Sequence, residues 1–487
     1  MLAASSERPP EGTLKKPGVR VLLGMALAVL GAALFTLAFP PYGLWPLIFV
    51  GFVPVLVSLH RVIPRRYSGL ALGVGVGGFF FSYFDGIFTG IALWRWLPLM
   101  IALGATSIGF WEQWFHRRTN YRYLVPAGAA VWVTLEMIRG TLPFMGTWGF
   151  VGYALYGQPW FIQPVSIFNI YGLNLLIMLV NLALTAQVMR WMDRHWGPGC
   201  DVRTVDARAV HRWSVAVTIA LVVWAALSLV LLGEAKPGVE AVALQTAGVN
   251  SMEQLLDLNR RAAETAPELI VWPEGFLPFD PQEQATEEFE ALARELKAYL
   301  VMGYAVREDE GLRNEVTVIS PEGVFLGVYG KDHPVVFAGE TSLTRGTYPT
   351  YQADFGQLGT IICYDLDFTD TARKITRNGA QIIAVPSADW PAIAHKHYTH
   401  IIFRAVENRV SMVKADVGYG SVIVDPYGRI LERSVTTEAI QAILSARVPL
   451  GSGRAPVVRL GDWMGWVAVI TTLSFILWDL VTRPRWR

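Results

Sequence analysis

Leu358-Gly359-Thr360-Ile361-Ile362-Cys363-Tyr364-Asp365 reads as an apolar β-strand that turns polar at a thiol. Strand ends are where α/β folds present reacting groups, so the sulfur is expected at the rim of a sheet and not in its middle. Upstream of it, Val271-Trp272-Pro273-Glu274 and Tyr329-Gly330-Lys331 are short apolar or turn contexts that end on a charge. A carboxylate, an ammonium and a thiol in that order suggest an acyl-transferring nucleophile. Free cysteine is only a few per cent thiolate at neutral pH and needs a cation or base beside it. Lys331 could supply the positive charge and, with the backbone N–H of Tyr364, hold a developing oxyanion. Glu274 could take the thiol proton and return it to a leaving group. Singly, Glu274 and Lys331 read first as solvated surface charges, and Cys363 equally well as a buried core cysteine. The three together point to chemistry.

Around this triad, short β-rich runs alternate with helical ones. Val239–Gln245, Leu269–Val271, Leu300–Tyr304, Val316–Ser320, Gly359–Cys363, Gln381–Val385, Ser411–Ala415 and Ser421–Asp425 are expected strands, several bounded by turns such as Pro321-Glu322-Gly323. Glu283–Tyr299, Thr369–Asn378 and His395–Asn408 are expected helices. The segment 233–461 is thus an α/β domain large enough for its own core.

The remainder of the chain has a different character. The 487 residues are 53% hydrophobic and only 17% charged, with a mean hydropathy of +0.36, which is too apolar for an ordinary soluble domain. A formal charge of +1 makes nucleic acid an unexpected partner. Stretches able to span a bilayer are expected at Val21–Phe39, Leu44–His60, Gly69–Leu93, Leu97–Phe115, Leu124–Ile138, Ile162–Met189, Trp213–Leu232 and Met464–Val481. Leu124–Ile138 is short and contains Glu136, so a re-entrant helix is its alternative. A cleaved signal is the alternative for the first stretch, though its length and its Phe39-Pro40-Pro41-Tyr42 exit argue against one.

Basic residues fall where an even number of spans requires. They cluster in the tail (Lys15, Lys16, Arg20), in three loops (Arg61, Arg65, Arg66; Arg117, Arg118, Arg122; Arg190, Arg194, Arg203, Arg208, Arg212) and at the end (Arg483, Arg485, Arg487), whereas the opposite short loops carry only Arg95. Both termini are therefore expected inside and the α/β insert outside. The expected division is a cytoplasmic tail at 1–19, seven helices at 20–232, the insert at 233–461, an eighth helix at 462–482 and a cytoplasmic end at 483–487. Cys200 and Cys363 would then lie on opposite faces and form no disulfide. The aromatic-rich loop Arg139–Phe161 fits either a lipid interface or bundle packing.

Other groups compete for roles. His333 could pair with Cys363 or serve in structural hydrogen bonding, as could His397 and His400. His395, His397 and Asp389 hint at a metal, but their spacing matches no zinc pattern, and no metal or cofactor is expected. Asp85, in the third apolar stretch, is a functional candidate by its location and is left unassigned.

At these motifs the insert resembles the carbon-nitrogen hydrolase (nitrilase) superfamily, whose Glu-Lys-Cys triad maps onto Glu274, Lys331 and Cys363. Arg404-Ala405-Val406-Glu407-Asn408-Arg409 downstream is similar too. Roughly residues 20–480 resemble one branch, the bacterial apolipoprotein N-acyltransferases, through Phe39-Pro40-Pro41-Tyr42-Gly43-Leu44-Trp45-Pro46-Leu47, Leu135-Glu136-Met137-Ile138-Arg139-Gly140, Gly152-Tyr153 and Tyr171-Gly172-Leu173-Asn174. That resemblance implies a multi-pass α-helical membrane domain plus an extracytoplasmic α/β nitrilase-like αββα sandwich, in the inner membrane and monomeric. It implies a phospholipid acyl donor, a thioester on Cys363 and a diacylglyceryl apolipoprotein acceptor. Glu340 would match a supporting glutamate, Tyr364 the residue after the nucleophile, and Trp390 a mobile-loop tryptophan. The chain departs from the family where Asp365 replaces a usual Glu and where one extra residue precedes Gly339-Glu340. Further departures are Ser387-Ala388-Asp389-Trp390, in place of an Asn-Asp-Ala-Trp-like loop, and Lys414-Ala415-Asp416, where Arg and Asn are common. These departures spare the triad and fall in the loops that receive substrates. A membrane-tethered amidase and a silent scaffold are the competing readings.

Overall fold

A computed structural model describes residues 16–87, 96–195, 203–234, 238–309, 311–336 and 339–482. Most of the tail, Arg95, Cys200 and the end beyond 482 lie outside the described residues.

The apolar half is helical. Helix α1 (Pro17–Ala38) starts four residues before the expected Val21, because Pro17 needs no hydrogen-bond partner in a first turn. The second stretch is broken: a 3-10 turn (Trp45–Phe49), α2 (Val53–Val57) and a π-turn (Ser58–Val62) follow one another, with Pro46 and Pro54 each in a first turn. Next come α3 (Gly69–Tyr83), α4 (Leu97–Arg118), α5 (Leu124–Gly140) and the short α6 (Pro159–Ile162). Then follow α7 (Val165–His195), kinked at Asn169 with φ 48°, and α8 (Ala207–Leu231). Gly73 and Gly77 of α3 face Thr106 and Ala102 of α4 so closely that a Cβ would overlap them, the small-residue contact that lets helices pack in an apolar medium.

Among the described residues five helices, Pro17–Ala38, Trp45–Val62, Val165–His195, Ala207–Leu231 and Trp463–Thr482, are long and apolar enough to cross a membrane by length and composition. Of the other three expected spans, α3 and α5 are 15 and 17 residues long. The third, α4, ends in the polar run Glu112, Gln113, His116, Arg117 and Arg118. Glu136 of α5 is buried and bonded by Asn174 Nδ2 at 2.7 Å, which explains a carboxylate in an apolar helix.

The insert is two six-stranded sheets packed face to face. Strands β1 (Val239–Thr246), β2 (Leu269–Val271), β3 (Tyr299–Glu308), β4 (Gly311–Ile319) and β5 (Phe325–Gly330) belong to one sheet. Strands β6 (Thr350–Ala353), β7 (Gly356–Thr360), β8 (Ile382–Ser387), β9 (Ser411–Asp416), β10 (Gly420–Val424) and β11 (Ile430–Val435) form the other. The last strand, β12 (Gln441–Val448), returns to the first sheet, giving the orders β12-β1-β2-β3-β4-β5 and β11-β10-β9-β8-β7-β6. Each sheet has a parallel centre, β1-β2-β3 and β7-β8-β9, with antiparallel flanks.

The period of two decides which side chain goes where. Val242, Leu244, Ile270, Leu300 and Met302 pack under α9 (Met252–Ala262) and α10 (Thr286–Leu296), while Ala241, Ala243, Val271 and Val301 face the second sheet. On the far side of the second sheet lie α11 (Thr369–Arg377) and α12 (Pro391–Asn408), completing an αββα sandwich. Short α13 (Pro456–Leu460) then leads into the final α14 (Trp463–Thr482).

The same hydrophobic core runs from this layer into the helical bundle. Glu407 of α12 accepts from Ile170 N at 2.8 Å, at the kink of α7, and Arg409 bonds Gln163 Oε1 at 2.6 Å. The insert therefore sits on the bundle end formed by the close of α3 and α5 and the start of α7. Ion pairs gather at the opposite end: Arg61 with Asp193 at 3.0 Å, Arg118 with Asp479 at 3.0 Å and Arg122 with Asp206 at 3.5 Å.

Candidate active site

Strand β2 ends at Val271, and the chain leaves the sheet through Trp272 and Pro273 to Glu274. Gly303 of β3 makes that exit possible, because a Cβ there would lie 2.2 Å from Pro273 O. Lys331 follows the last residue of β5, and its own N–H bonds Asn314 O at 3.0 Å. The sequence expectation put Cys363 at the end of a strand, whereas β7 stops at Thr360 and Cys363 opens a 3-10 turn, Cys363–Asp367, with φ 41°. A non-glycine residue held left-handed costs on the order of 1–3 kcal/mol and is found where surrounding structure fixes it.

Asp365 does the fixing. Its Oδ2 accepts from Ile362 N at 3.0 Å and Tyr329 Oη at 2.6 Å, and its Oδ1 from His333 N at 2.8 Å. Asp365 is completely buried, so it braces the turn from behind and offers no surface to a substrate. His333 is stacked on Phe368 at 3.8 Å and bonded to Asp365 and Thr371, the structural use of that ring.

Glu274, Lys331 and Cys363 converge, and Glu340 joins them. Lys331 Nζ lies 2.7 Å from Glu274 Oε1 and 2.9 Å from Glu340 Oε2. Asn314 Nδ2 bonds Glu274 Oε1 at 2.7 Å and also donates to Glu340, and Val335 N bonds Glu340 Oε2 at 2.7 Å. Burial opposes charge on Lys331, but Glu274, Cys363 and Glu340 outweigh it and hold the ammonium above its ordinary range. Burial likewise acts to raise Glu340, yet Lys331 and the Val335 N–H keep it below. Burial and Glu274 push the Cys363 thiol well up, against the pull of Lys331. Cys363 therefore stands beside a fixed cation and the Glu274 carboxyl group, with its proton held more tightly than in a free thiol.

A second charged group stands on the other side of Cys363. Asp389, from the loop after β8, takes Lys414 Nζ at 2.7 Å and the His397 ring at 2.6 Å, and Lys414 also reaches Asp416 at 3.3 Å and Gly420 O at 2.8 Å. All four side chains are buried. One donor atom from each of Cys363, Asp389 and His397 lies within 4.8 Å of the others. Burial would raise the Asp389 carboxyl, but His397 and Lys414 hold it below the usual carboxylate range. In the sequence Lys414 is visible only as a departure from the family pattern, and Asp389 as such a departure and as a neighbour of His395 and His397. Their pairing across two elements has no local signature.

The sulfur opens into a small, mostly apolar cavity of about 30 Å³. Tyr364, Val335, Trp390, Ile393 and His397 wall it from the insert. Phe84 and Ile87 after α3, with Phe144, Met145 and Trp148 after α5, wall it from the helical bundle. The loop after α5 is docked: Trp148 Nε1 donates to Asp367 Oδ2 at 2.7 Å, Thr147 N to Asp367 O at 2.8 Å, and Tyr153 stacks on His400 at 4.1 Å. Of the two readings for Arg139–Phe161, Phe150 packs within the bundle against Tyr171, Trp148 and Tyr153 are buried against the insert, and Trp160 is exposed. Trp390 stands at the N-cap of α12, half-buried against the cavity. Asp85 is exposed in the turn after α3, where it acts electrostatically on Lys396.

Comparison with known proteins follows this division. The carbon-nitrogen hydrolase family model matches residues 241–455, and the apolipoprotein N-acyltransferase N-terminal domain model matches 31–183. The chain is 27% identical to an apolipoprotein N-acyltransferase of Geobacter metallireducens, over 92% of this chain and 95% of that one. It is 26% identical to that of Gloeobacter violaceus, over 91% and 92%. Human omega-amidase NIT2 is 29% identical but aligns with only 32% of this chain and 64% of its own. Among solved structures, an amidase from Nesterenkonia sp. matches 47% of this chain and 99% of its own, at 23% identity and a TM-score of 0.37. With both family matches in order along the chain, and relatives that cover over nine-tenths of it, the chain belongs to the apolipoprotein N-acyltransferase family of the carbon-nitrogen hydrolase superfamily.

Proposed function

We propose that this protein transfers an acyl chain from a phospholipid, through a thioester on Cys363, to the α-amino group of the diacylglyceryl-cysteine at an apolipoprotein's amino terminus. The observation that carries this reading is the shared wall of the cavity: half of the apolar lining at Cys363 comes from the helical domain. An amidase that used its helices only as an anchor would have no reason to build them into the site, since one spanning helix suffices to anchor.

Among the described residues the two side chains that donate to the Glu274 carboxylate, Asn314 and Lys331, bond Oε1, which leaves Oε2 for the thiol proton. Sulfur attacks the ester carbonyl as Glu274 takes that proton, and Lys331 with the Tyr364 N–H stabilises the oxyanion. Collapse expels the lysophospholipid alkoxide, which is protonated by Glu274. Glu340 and Asn314 hold Lys331 and Glu274 in place throughout. Apolar walls keep water from the thioester until an amine arrives. The insert is read as standing on the outer face of the inner membrane, with both termini inside.

Purified protein incubated with acyl-labelled phospholipid is expected to accumulate a hydroxylamine-sensitive acyl group, and Cys363→Ala to abolish it. Absence of the adduct, together with ammonia release from small amides, would move the assignment to an amidase.

A further inference from the structure

The two half-reactions differ in proton balance. Acylation of Cys363 is neutral: the thiol proton passes to Glu274 and on to the leaving alkoxide. Aminolysis is not, because an α-amino group of pKa about 8 arrives mostly as the ammonium at pH 7. The step RC(O)–S–Cys363 + R′NH3+ → RC(O)–NHR′ + Cys363–SH + H+ breaks the C–S bond, forms the C–N bond and strips two protons from nitrogen. One passes through Glu274 back to sulfur. The other needs a second acceptor.

We propose that His397, oriented by Asp389, is that acceptor, and this rests on the thioester reading above. His397 lines the cavity at Cys363, and one of its ring nitrogens is within 4.8 Å of the sulfur and of an Asp389 oxygen. Nδ1 is fixed on Asp389 Oδ1 at 2.6 Å. Nε2 is buried without a hydrogen bond, Asp367 Oδ1 standing 3.6 Å from it. A ring that is 1% exposed, tied at one nitrogen and open at the other, is arranged to exchange a proton and not merely to fill space.

The groups facing the ring are Asp389, Asp367, Lys414, His400 and Cys363, with Trp148 stacked alongside at 5.7 Å. Burial acts to lower the imidazole, but Asp389 and Asp367 outweigh it and hold the ring above its ordinary range, so that a proton taken from the amine is stabilised there. Lys414 keeps Asp389 ionised, so that Asp389 positions the ring and does not take the proton itself.

The test separates the half-reactions. Full-length acyl-enzyme is formed with labelled phospholipid, freed of lipid in detergent, and chased with a diacylglyceryl-cysteinyl peptide. In His397→Gln the chase is expected to slow about a hundredfold more than acylation at pH 7. It is also expected to recover about fivefold between pH 7 and pH 8, as free amine accumulates. Hydroxylamine, already unprotonated at pH 7, is expected to discharge the variant thioester as fast as it does the wild type. A chase equal to wild type, or equal slowing of acylation, peptide chase and hydroxylamine discharge, would overturn the role of His397 and leave the thioester standing. Failure of the wild type to form any adduct would instead remove the reading beneath it.

Discussion

Cys363 is a thiol whose neighbours pull its proton affinity in opposite directions. Burial and Glu274 push it up, Lys331 draws it down, and the upward pull wins. Alkylation by iodoacetamide is therefore expected to rise about tenfold per pH unit through pH 9, since only thiolate reacts. At pH 8 Glu274→Gln should speed it and Lys331→Met slow it; a wild-type plateau below pH 8 would contradict this balance. Asp365 gives a second residue-level prediction. Its replacement by Ala strands the buried donors of Ile362 and Tyr329, at a cost of about 1–3 kcal/mol each in the worst case, and the part-buried N–H of His333, read as a lowered urea midpoint. Asp365→Glu adds a methylene to a fully buried site and is expected to cost about 1–3 kcal/mol although the family usually carries Glu there. Sequence reading left Asp365 as either a supporting or a substrate-binding residue, because it stands where the resemblance implies Glu. Its direction, backward into Tyr329, is a property of the turn and not of the string.

At the scale of elements, legibility followed burial. The central strands β2, β8, β9 and β10 are buried on both faces and show as apolar runs. The four strands absent from the sequence reading, β5, β6, β11 and β12, are the four sheet edges. Gly327 and Gly330 in β5, and Glu432, Arg433 and Ser434 in β11, erase the apolar run that would mark a strand. Helix α9 was missed as well, although Ser251 caps it by accepting from Gln254 N at 3.2 Å, a signal the sequence does carry. The loop after α5 makes an element-level prediction. Gly146 has φ 51°, and a Cβ on it would stand 2.7 Å from Asp367 O, the atom that Thr147 N bonds. Gly146→Ala is expected to lift Phe144, Met145 and Trp148 from the Cys363 cavity, lowering acyl-enzyme formation at least tenfold and opening 141–150 to proteolysis while both domains stay folded. Unchanged proteolysis and activity would show that these walls are dispensable.

Across the whole molecule, helix direction couples the two charge patterns. Arg20 Nε reaches Val62 O at 2.9 Å, Arg61 pairs with Asp193, and Arg118 pairs with Asp479. The start of α1 and the ends of the second helix, α4, α7 and α14 therefore share one pole. Tyr83 O at the end of α3 accepts from Lys396 at 2.6 Å, and Leu231 O at the end of α8 accepts from Arg409 at 3.4 Å, so the opposite pole carries the insert. Positive charge marks the cytoplasmic side, so the function proposed above, with the insert outside where a lipoprotein's modified amino terminus would be met, predicts how the two poles label. In a Cys200→Ser, Cys363→Ala background, cysteines placed at the exposed positions Glu253 and Arg66 report on the two poles. A membrane-impermeant maleimide is expected to label Glu253→Cys in intact spheroplasts and Arg66→Cys only after permeabilisation. The reverse pattern would turn the molecule over and separate Cys363 from an acceptor on the outer face.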